Sequence, residues 1–196
     1  VDLIKKKGKY TVMELIKNAK YSKLIRNLLI ALLGTVVLAI SSKIKIPFYP
    51  VPMTMQTFVV LFIGIAFGWR LGIATIGLYL FEGIIGLPVF SGTPEKGVGI
   101  IYFTGPTMGY LLGFLVTVFL AGSFNFNKNM FLNFLKITFA TSFIYILGML
   151  WLGGLIGWEK PIFKLGAQPF LLAELFKILL ITLLVSKIKN LRSKFI

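Results

Sequence analysis

The stretch Gly166-Ala167-Gln168-Pro169-Phe170-Leu171-Leu172-Ala173-Glu174-Leu175-Phe176-Lys177 opens an apolar run that continues to about Val185. A bilayer crossing needs about 20 mostly apolar residues, so this run is long enough to span one. It nevertheless carries a carboxylate and an ammonium two to three turns inside. A lone charge at the bilayer centre costs roughly 2.5–3.5 kcal/mol on insertion scales. Residues three apart on a helix are neighbours, so Glu174 and Lys177 are placed to pair. Phe170 lies one turn before Glu174, and the three residues share a stripe. That stripe is expected to face an enclosed polar cavity; a purely structural ion pair between helices is the alternative.

Composition agrees with a membrane protein. Of 196 residues 57% are hydrophobic and only 14% charged, less charge than a soluble domain of this size carries. Mean hydropathy is +0.90. There is no cysteine and no histidine, which removes disulfides, thiolate nucleophiles and the commonest general base and metal ligand. The six acidic residues are scattered, so neither a dinuclear carboxylate site nor an Asp-rich diphosphate motif is available. The formal charge of +15 is better explained by basic loops on the inner side of a membrane than by nucleic acid.

The rest of the chain divides in order. Residues 1–26 are basic, and Thr11-Val12-Met13-Glu14 fits a capping box. Val12, Leu15, Ile16 and Ala19 follow at helical spacing, which predicts an amphipathic helix on the inner leaflet or a docking surface for a cytosolic partner. No signal-peptide pattern precedes the spans, so the spans themselves are expected to direct localisation. Six spans are expected within residues 27–186, at about 27–40 (or from an earlier start through Leu24-Ile25), 54–67, 71–87, 105–121, 130–152 and 169–185, before a basic tail over 187–196. Ala31, Thr35 and Ala39 recur every four residues in the first span, either for internal packing or as a flat face for another membrane subunit. Residues 41–53 are expected to form a loop, because three prolines in six residues exclude a helix. Its apolar content suggests a lid over a ligand. Gly68-Trp69-Arg70 reads as a tight inner turn, and Gly105, Gly109 and Gly113 as a stripe for close helix contact. Glu82 reads as an interfacial group or a second cavity group. Of the 21 Lys and Arg, fifteen fall on the side of the termini, five in the three opposite loops, and one is Lys177. This excess predicts both termini in the cytoplasm, with three long aromatic loops outside.

Several of these stretches carry a resemblance. Pro50-Val51-Pro52-Met53-Thr54-Met55-Gln56-Thr57-Phe58 resembles the P-V-P-x-T-x-Q-T-F signature of BioY proteins, the biotin-binding S-components of energy-coupling factor (ECF) transporters. Gly68-Trp69-Arg70-Leu71-Gly72 is similar to their turn between the second and third spans. Tyr79, Gly83 and Gly86-Leu87-Pro88-Val89-Phe90 resemble the exit of their third span. Gly105-Pro106-Thr107-Met108-Gly109-Tyr110-Leu111-Leu112-Gly113-Phe114 resembles the opening of their fourth. Pro169-Phe170 with Glu174-Leu175-Phe176-Lys177 resembles their P-F-x-x-x-D-x-x-K element, with Glu where the family usually has Asp. Glu82 stands where the family commonly has an apolar residue. The likeness runs in order from about residue 25 to 187.

The resemblance implies an all-α integral membrane protein of a prokaryotic plasma membrane. It would capture biotin outside and deliver it with an ECF transmembrane subunit and two ATPase subunits. Biotin is then the transported ligand and no cofactor is expected. The chain has no G-x-x-x-x-G-K-[ST] phosphate loop, so the energy would come from those partners. Ala31, Thr35 and Ala39 match the stripe where the family docks its partner. Biotin presents two ureido N–H donors, a carbonyl acceptor, an apolar thioether ring and a carboxylate tail. On this reading Glu174 accepts from ureido N–H, and Lys177 donates to the ureido oxygen or else meets the carboxylate. Gln56 and Thr54 supply neutral hydrogen bonds from the lid. Phe48, Tyr49, Phe90 and Trp158 are candidate walls, with Tyr110 and Phe170 also among the expected substrate-binding residues. The alternatives are an S-component for thiamine or riboflavin, an intramembrane enzyme using Glu174 and Lys177 as an acid–base pair, and a scaffold without a ligand.

Overall fold

The computed structural model describes the backbone of residues 2–195 and the side chains of residues 21–192. The chain is almost wholly helical: α1 (Asp2–Lys43), α2 (Gln56–Ile84), α3 (Ile100–Phe103), α4 (Met108–Ser123), α5 (Met130–Ile156), α6 (Ile162–Gly166) and α7 (Leu171–Phe195), the last entered through a 3₁₀ turn (Gln168–Phe170). Among the described residues, four stretches are long and apolar enough to cross a membrane: Tyr21–Lys43, Gln56–Ile84, Met130–Ile156 and Ile162–Arg192. Helix α4 is apolar but shorter. Large apolar side chains face outward along these helices, as at Leu33 and Val36 on α1 and at Leu172, Phe176 and Leu183 on α7. An apolar exterior of that extent suits lipid rather than water.

Helix α1 runs unbroken through residues 26 and 27. The amphipathic face expected over residues 12–19 lies outside the described side chains. The apolar part of α1 is longer than the sequence indicates at both ends, and Ser41–Lys43 belong to the helix rather than to the following loop. The proline-rich loop is correspondingly shorter. A two-residue antiparallel ladder closes it, pairing Lys45 (β1, Lys45–Ile46) with Thr54 (β2, Met53–Thr54) and Ile46 with Met53.

The expected turn at Gly68-Trp69-Arg70 interrupts α2. Gly68 has φ 75° and ψ 170°, a conformation that a side chain would strain. The two limbs fold back on each other. A Cβ placed on Gly72 would stand 3.7 Å from Gly64, and the Gln56 amide donates to the Tyr79 hydroxyl at 2.7 Å. Arg70 lies over the Trp69 ring at 5.1 Å. Helix α4 packs between α2 and α5. A methyl on Gly109 would meet the Leu147 carbonyl and the Trp151 stem, and one on Gly113 would meet the Ile144 backbone. Gly105, by contrast, precedes α4 and meets only the Tyr102 carbonyl, so two of the three stripe glycines serve the helix contact. At its start, α5 is capped by Asn129, whose side chain accepts from the Leu132 N–H at 3.0 Å.

The stripe on α1 turns inward. Ala31 and Thr35 are buried, and Ala39 is half-buried. The Thr35 hydroxyl donates to Glu82 Oε1 at 2.8 Å. Ala31 and Thr35 therefore form no open docking face; they are small because α1 lies close against α2. Exposed on α1 instead are Leu32, Leu33, Val36 and Val37.

The end of α1 also holds the second long loop. Ser42 and Tyr79 both donate to the Val89 carbonyl, at 2.8 and 2.9 Å. Lys43 Nζ donates to the Phe90 carbonyl at 2.9 Å, and to the Thr93 carbonyl and hydroxyl at 3.2 and 3.1 Å. Tyr102 donates to the Ser91 carbonyl at 2.8 Å. Residues 89–93 are thus fixed from three sides.

Three outcomes test this packing. Gly113→Leu should destabilise the protein by about 1–3 kcal/mol through overpacking at the α4–α5 contact, read as a lower thermal midpoint in detergent. Gly77→Ala, where a methyl meets nothing within 4 Å, should leave the midpoint unchanged or raise it. Lys43→Met should speed amide exchange over residues 89–93 by about tenfold or more, since hydrogen bonds to charged groups are worth roughly 1.5–3 kcal/mol. Hydrogen–deuterium exchange with mass spectrometry reads this, and α5 serves as the unaffected reference.

Candidate functional site

Glu174 and Lys177 are both buried on α7 and form the ion pair that the spacing predicts, at 3.2 Å. Their partners come from three other elements. Glu174 Oε2 accepts from Lys177, from the Thr57 hydroxyl of α2 at 3.1 Å and from the Tyr145 hydroxyl of α5 at 2.9 Å. Lys177 Nζ donates to the Thr54 carbonyl at 2.7 Å and to Thr57 Oγ1 at 2.9 Å, besides Glu174. An ammonium has three N–H donors, and all three are taken. Glu174 Oε1, in contrast, is buried with no hydrogen-bond partner. The pair therefore presents one open acceptor and no open donor.

Glu174 lines a cavity of about 60 Å³ between β2, α2, α4, α5, α7 and the 89–93 loop. Ser91 lines the same cavity, and its hydroxyl is also buried without a partner. Two groups of rings enclose the space. Phe90 stacks on Tyr102 at 4.7 Å and takes Tyr79 and Phe103 edge-on at 5.2 and 5.4 Å. Phe90 reaches this position because Gly83 has no side chain to meet its ring. Opposite, Phe170 stacks on Tyr145 at 6.3 Å, and Tyr110 meets Tyr145 edge-on at 6.3 Å. The Tyr110 hydroxyl donates to the Gly166 carbonyl at 2.8 Å and ties α4 to the segment before α7.

Seven of the ten binding residues expected from the sequence line this cavity: Thr54, Gln56, Phe90, Tyr110, Phe170, Glu174 and Lys177. Phe48 does not line it but backs Phe170 edge-on at 5.9 Å. Tyr49 is 92% exposed and borders a separate outer chamber. Trp158 is largely exposed and lies over Gly153, outside the cavity lining. Thr57, Ser91 and Tyr145 line the cavity without having been singled out in the sequence. Thr57 stands inside the P-V-P-x-T-x-Q-T-F stretch, so that motif is the one signal that marks any of them.

The outer chamber, about 350 Å³, shares Tyr102 and Thr107 with the inner cavity and is lined by one lysine, Lys96. Burial and the nearby Lys45 draw the Lys96 ammonium below its ordinary pKa. Burial pushes the Tyr102 phenol above its ordinary value, so it stays protonated and keeps donating to Ser91. Among the described residues no group of carboxylates could hold a metal ion.

Comparison with known proteins places this arrangement. The family model described as the BioY family matches residues 11–194. A biotin transporter BioY of Thermotoga maritima is 32% identical over 167 residues, covering 85% of this chain and 97% of the relative. Probable biotin transporters BioY of Rickettsia prowazekii and Pyrococcus horikoshii are 34% and 33% identical, covering 83% and 71% of this chain and 82% and 81% of those proteins. A crystal structure of the S-component for biotin from an ECF-type ABC transporter superposes with a TM-score of 0.71 at 25% identity, over 86% of this chain and 93% of that one. With a family match over nearly its whole length, and the fold of an S-component, the chain belongs to the BioY family of multi-pass membrane proteins.

Proposed function

We propose that this protein is the substrate-binding subunit for biotin uptake, taking biotin from outside the cell and passing it inward with an ATP-driven ECF module of one transmembrane subunit and two ATPases. The observation that carries the reading is that two residues lining one aromatic-walled cavity each hold a buried polar atom without a partner. Glu174 Oε1 is an acceptor without a donor, and the Ser91 hydroxyl is unpaired across the same space. A buried polar group without a partner costs about 1–3 kcal/mol, so both gain from a ligand that completes them. Biotin has complementary groups: ureido N–H donors for the carboxylate and apolar rings for Phe90, Tyr110 and Phe170. Gln56 uses one amide N–H on Tyr79 and has a second to offer the ureido carbonyl.

Lys177 acts on this reading through Glu174. With its three donors engaged it holds the carboxylate in one orientation, leaving Oε1 for the ligand. The cavity of about 60 Å³ is smaller than the roughly 300–1,000 Å³ of ligand pockets, so binding moves wall side chains outward. In the membrane the two limbs of α2 count as two crossings, which with α1, α4, α5 and α7 gives six. Both termini then lie in the cytoplasm, where the basic residues of 1–26 and 187–196 meet anionic lipid. The partner contact is with membrane subunits, not nucleic acid.

Isothermal titration with biotin tests the assignment. Wild type should bind, and thiamine and riboflavin should not. Glu174→Ala should weaken biotin by about a hundredfold or more. Lys177→Met leaves a buried carboxylate alone, which costs about 3–5 kcal/mol, and should abolish binding and lower the yield of folded protein. Wild-type affinity in both variants, or no heat with biotin at all, would refute the site.

A further inference from the structure

The inner cavity has Lys177 as the one cation among its lining residues. The outer chamber is several times larger and adjoins it across Tyr102 and Thr107. Lys177 is closed to a tail carboxylate, because each of its N–H donors already has a partner. Lys96 is open: among the described residues it has no carboxylate partner, and it lines the outer chamber. Its stem lies over Gly92, which holds φ 79°, and a side chain there would meet it. Gly92 directly follows Ser91, so the ammonium is carried on the same turn as the unpaired hydroxyl of the inner cavity. Lys45 adds a second positive charge nearby. Glu95, the neighbouring carboxylate in the chain, is exposed and outside the chamber lining. Tyr49 and Pro50 of the proline-rich loop form another wall.

We propose that Lys96 is a specificity residue that receives the ionised tail of the ligand in this outer chamber, while the ring occupies the inner cavity beside Glu174. The inference rests on the biotin reading and extends it: the preferred ligand has a free carboxylate, and a neutral tail binds less well. Attraction between Lys96 and that carboxylate also relieves the positive field that Lys45 and Lys96 create together.

Titration calorimetry on the full chain in detergent, with biotin and with its uncharged carboxamide, decides the matter. Wild type should bind biotin about tenfold tighter than the amide, as one charge-assisted hydrogen bond implies. Lys96→Met should weaken biotin about tenfold and leave the amide unchanged, and Lys96→Arg should keep the preference for biotin. Equal binding of the two ligands by wild type, or unaltered biotin binding in Lys96→Met, overturns the role of Lys96 and leaves the biotin reading standing. Equal losses for both ligands in Lys96→Met would make Lys96 a support of the loop and likewise overturn it. Failure of wild type to bind either ligand removes the biotin reading, and this one with it.

Discussion

A carboxylate and an ammonium buried within apolar helices constrain the arrangement of everything around them. An ion pair of this kind is retained only when its remaining hydrogen-bonding capacity is satisfied. Here Thr57 of α2, the Thr54 carbonyl of β2 and Tyr145 of α5 converge on Glu174 and Lys177 of α7. A slip of any of these elements by one residue would strand a charge. The pair therefore fixes the relative register of three helices and the hairpin. It also sets the depth at which the proline-rich loop meets α7.

The two covers over the cavity are held differently. Residues 89–93 are tied by side chains from α1, α2 and α3, four of their carbonyls being engaged. The 47–52 loop has its two-residue ladder, the buried Val51 and the edge contact of Phe48 with Phe170, while Tyr49 stands in the open. The well-anchored cover carries Phe90 and Ser91 and so gives the cavity a fixed backbone on that side. Lys43 is central to that anchoring, although by sequence it reads only as one more loop lysine.

The parts of the site legible in the sequence are those that break a local rule. Glu174 and Lys177 stand out because charges are rare in apolar runs. Gln56 and Thr54 stand out beside prolines that exclude a helix. Gly68 marks its turn because only glycine adopts that backbone readily. Thr57, Ser91 and Tyr145 break no rule: hydroxyl residues are ordinary in apolar helices and loops, and the partners of Thr57 lie up to 120 residues away in the chain. Ala31 and Thr35 show another limit. A stripe of small residues signals close approach of some helix, but its spacing is the same whether that helix belongs to this chain or to another. What the sequence lacks is the position of α2, which the Thr35–Glu82 hydrogen bond makes explicit. Glu82, unassigned from sequence, thereby has a structural partner on α1. Trp158 lies away from the cavity for a similar reason: an aromatic in a loop can turn inward or lie across its own helix end, and here it covers Gly153.

The longer acidic side chain at position 174 follows from the same network. Three donors crowd onto Oε2 while Oε1 receives none, an uneven division for a carboxylate that could share them. Thr57 both accepts from Lys177 and donates to Glu174, so its hydroxyl relays the positive charge to the carboxylate in a fixed direction. With Tyr145 approaching from α5, every donor the protein supplies reaches the same oxygen. The other oxygen is left without a donor among the described residues. On the biotin reading, selectivity for a ligand that donates to this carboxylate begins with a lysine whose own donors are already spent.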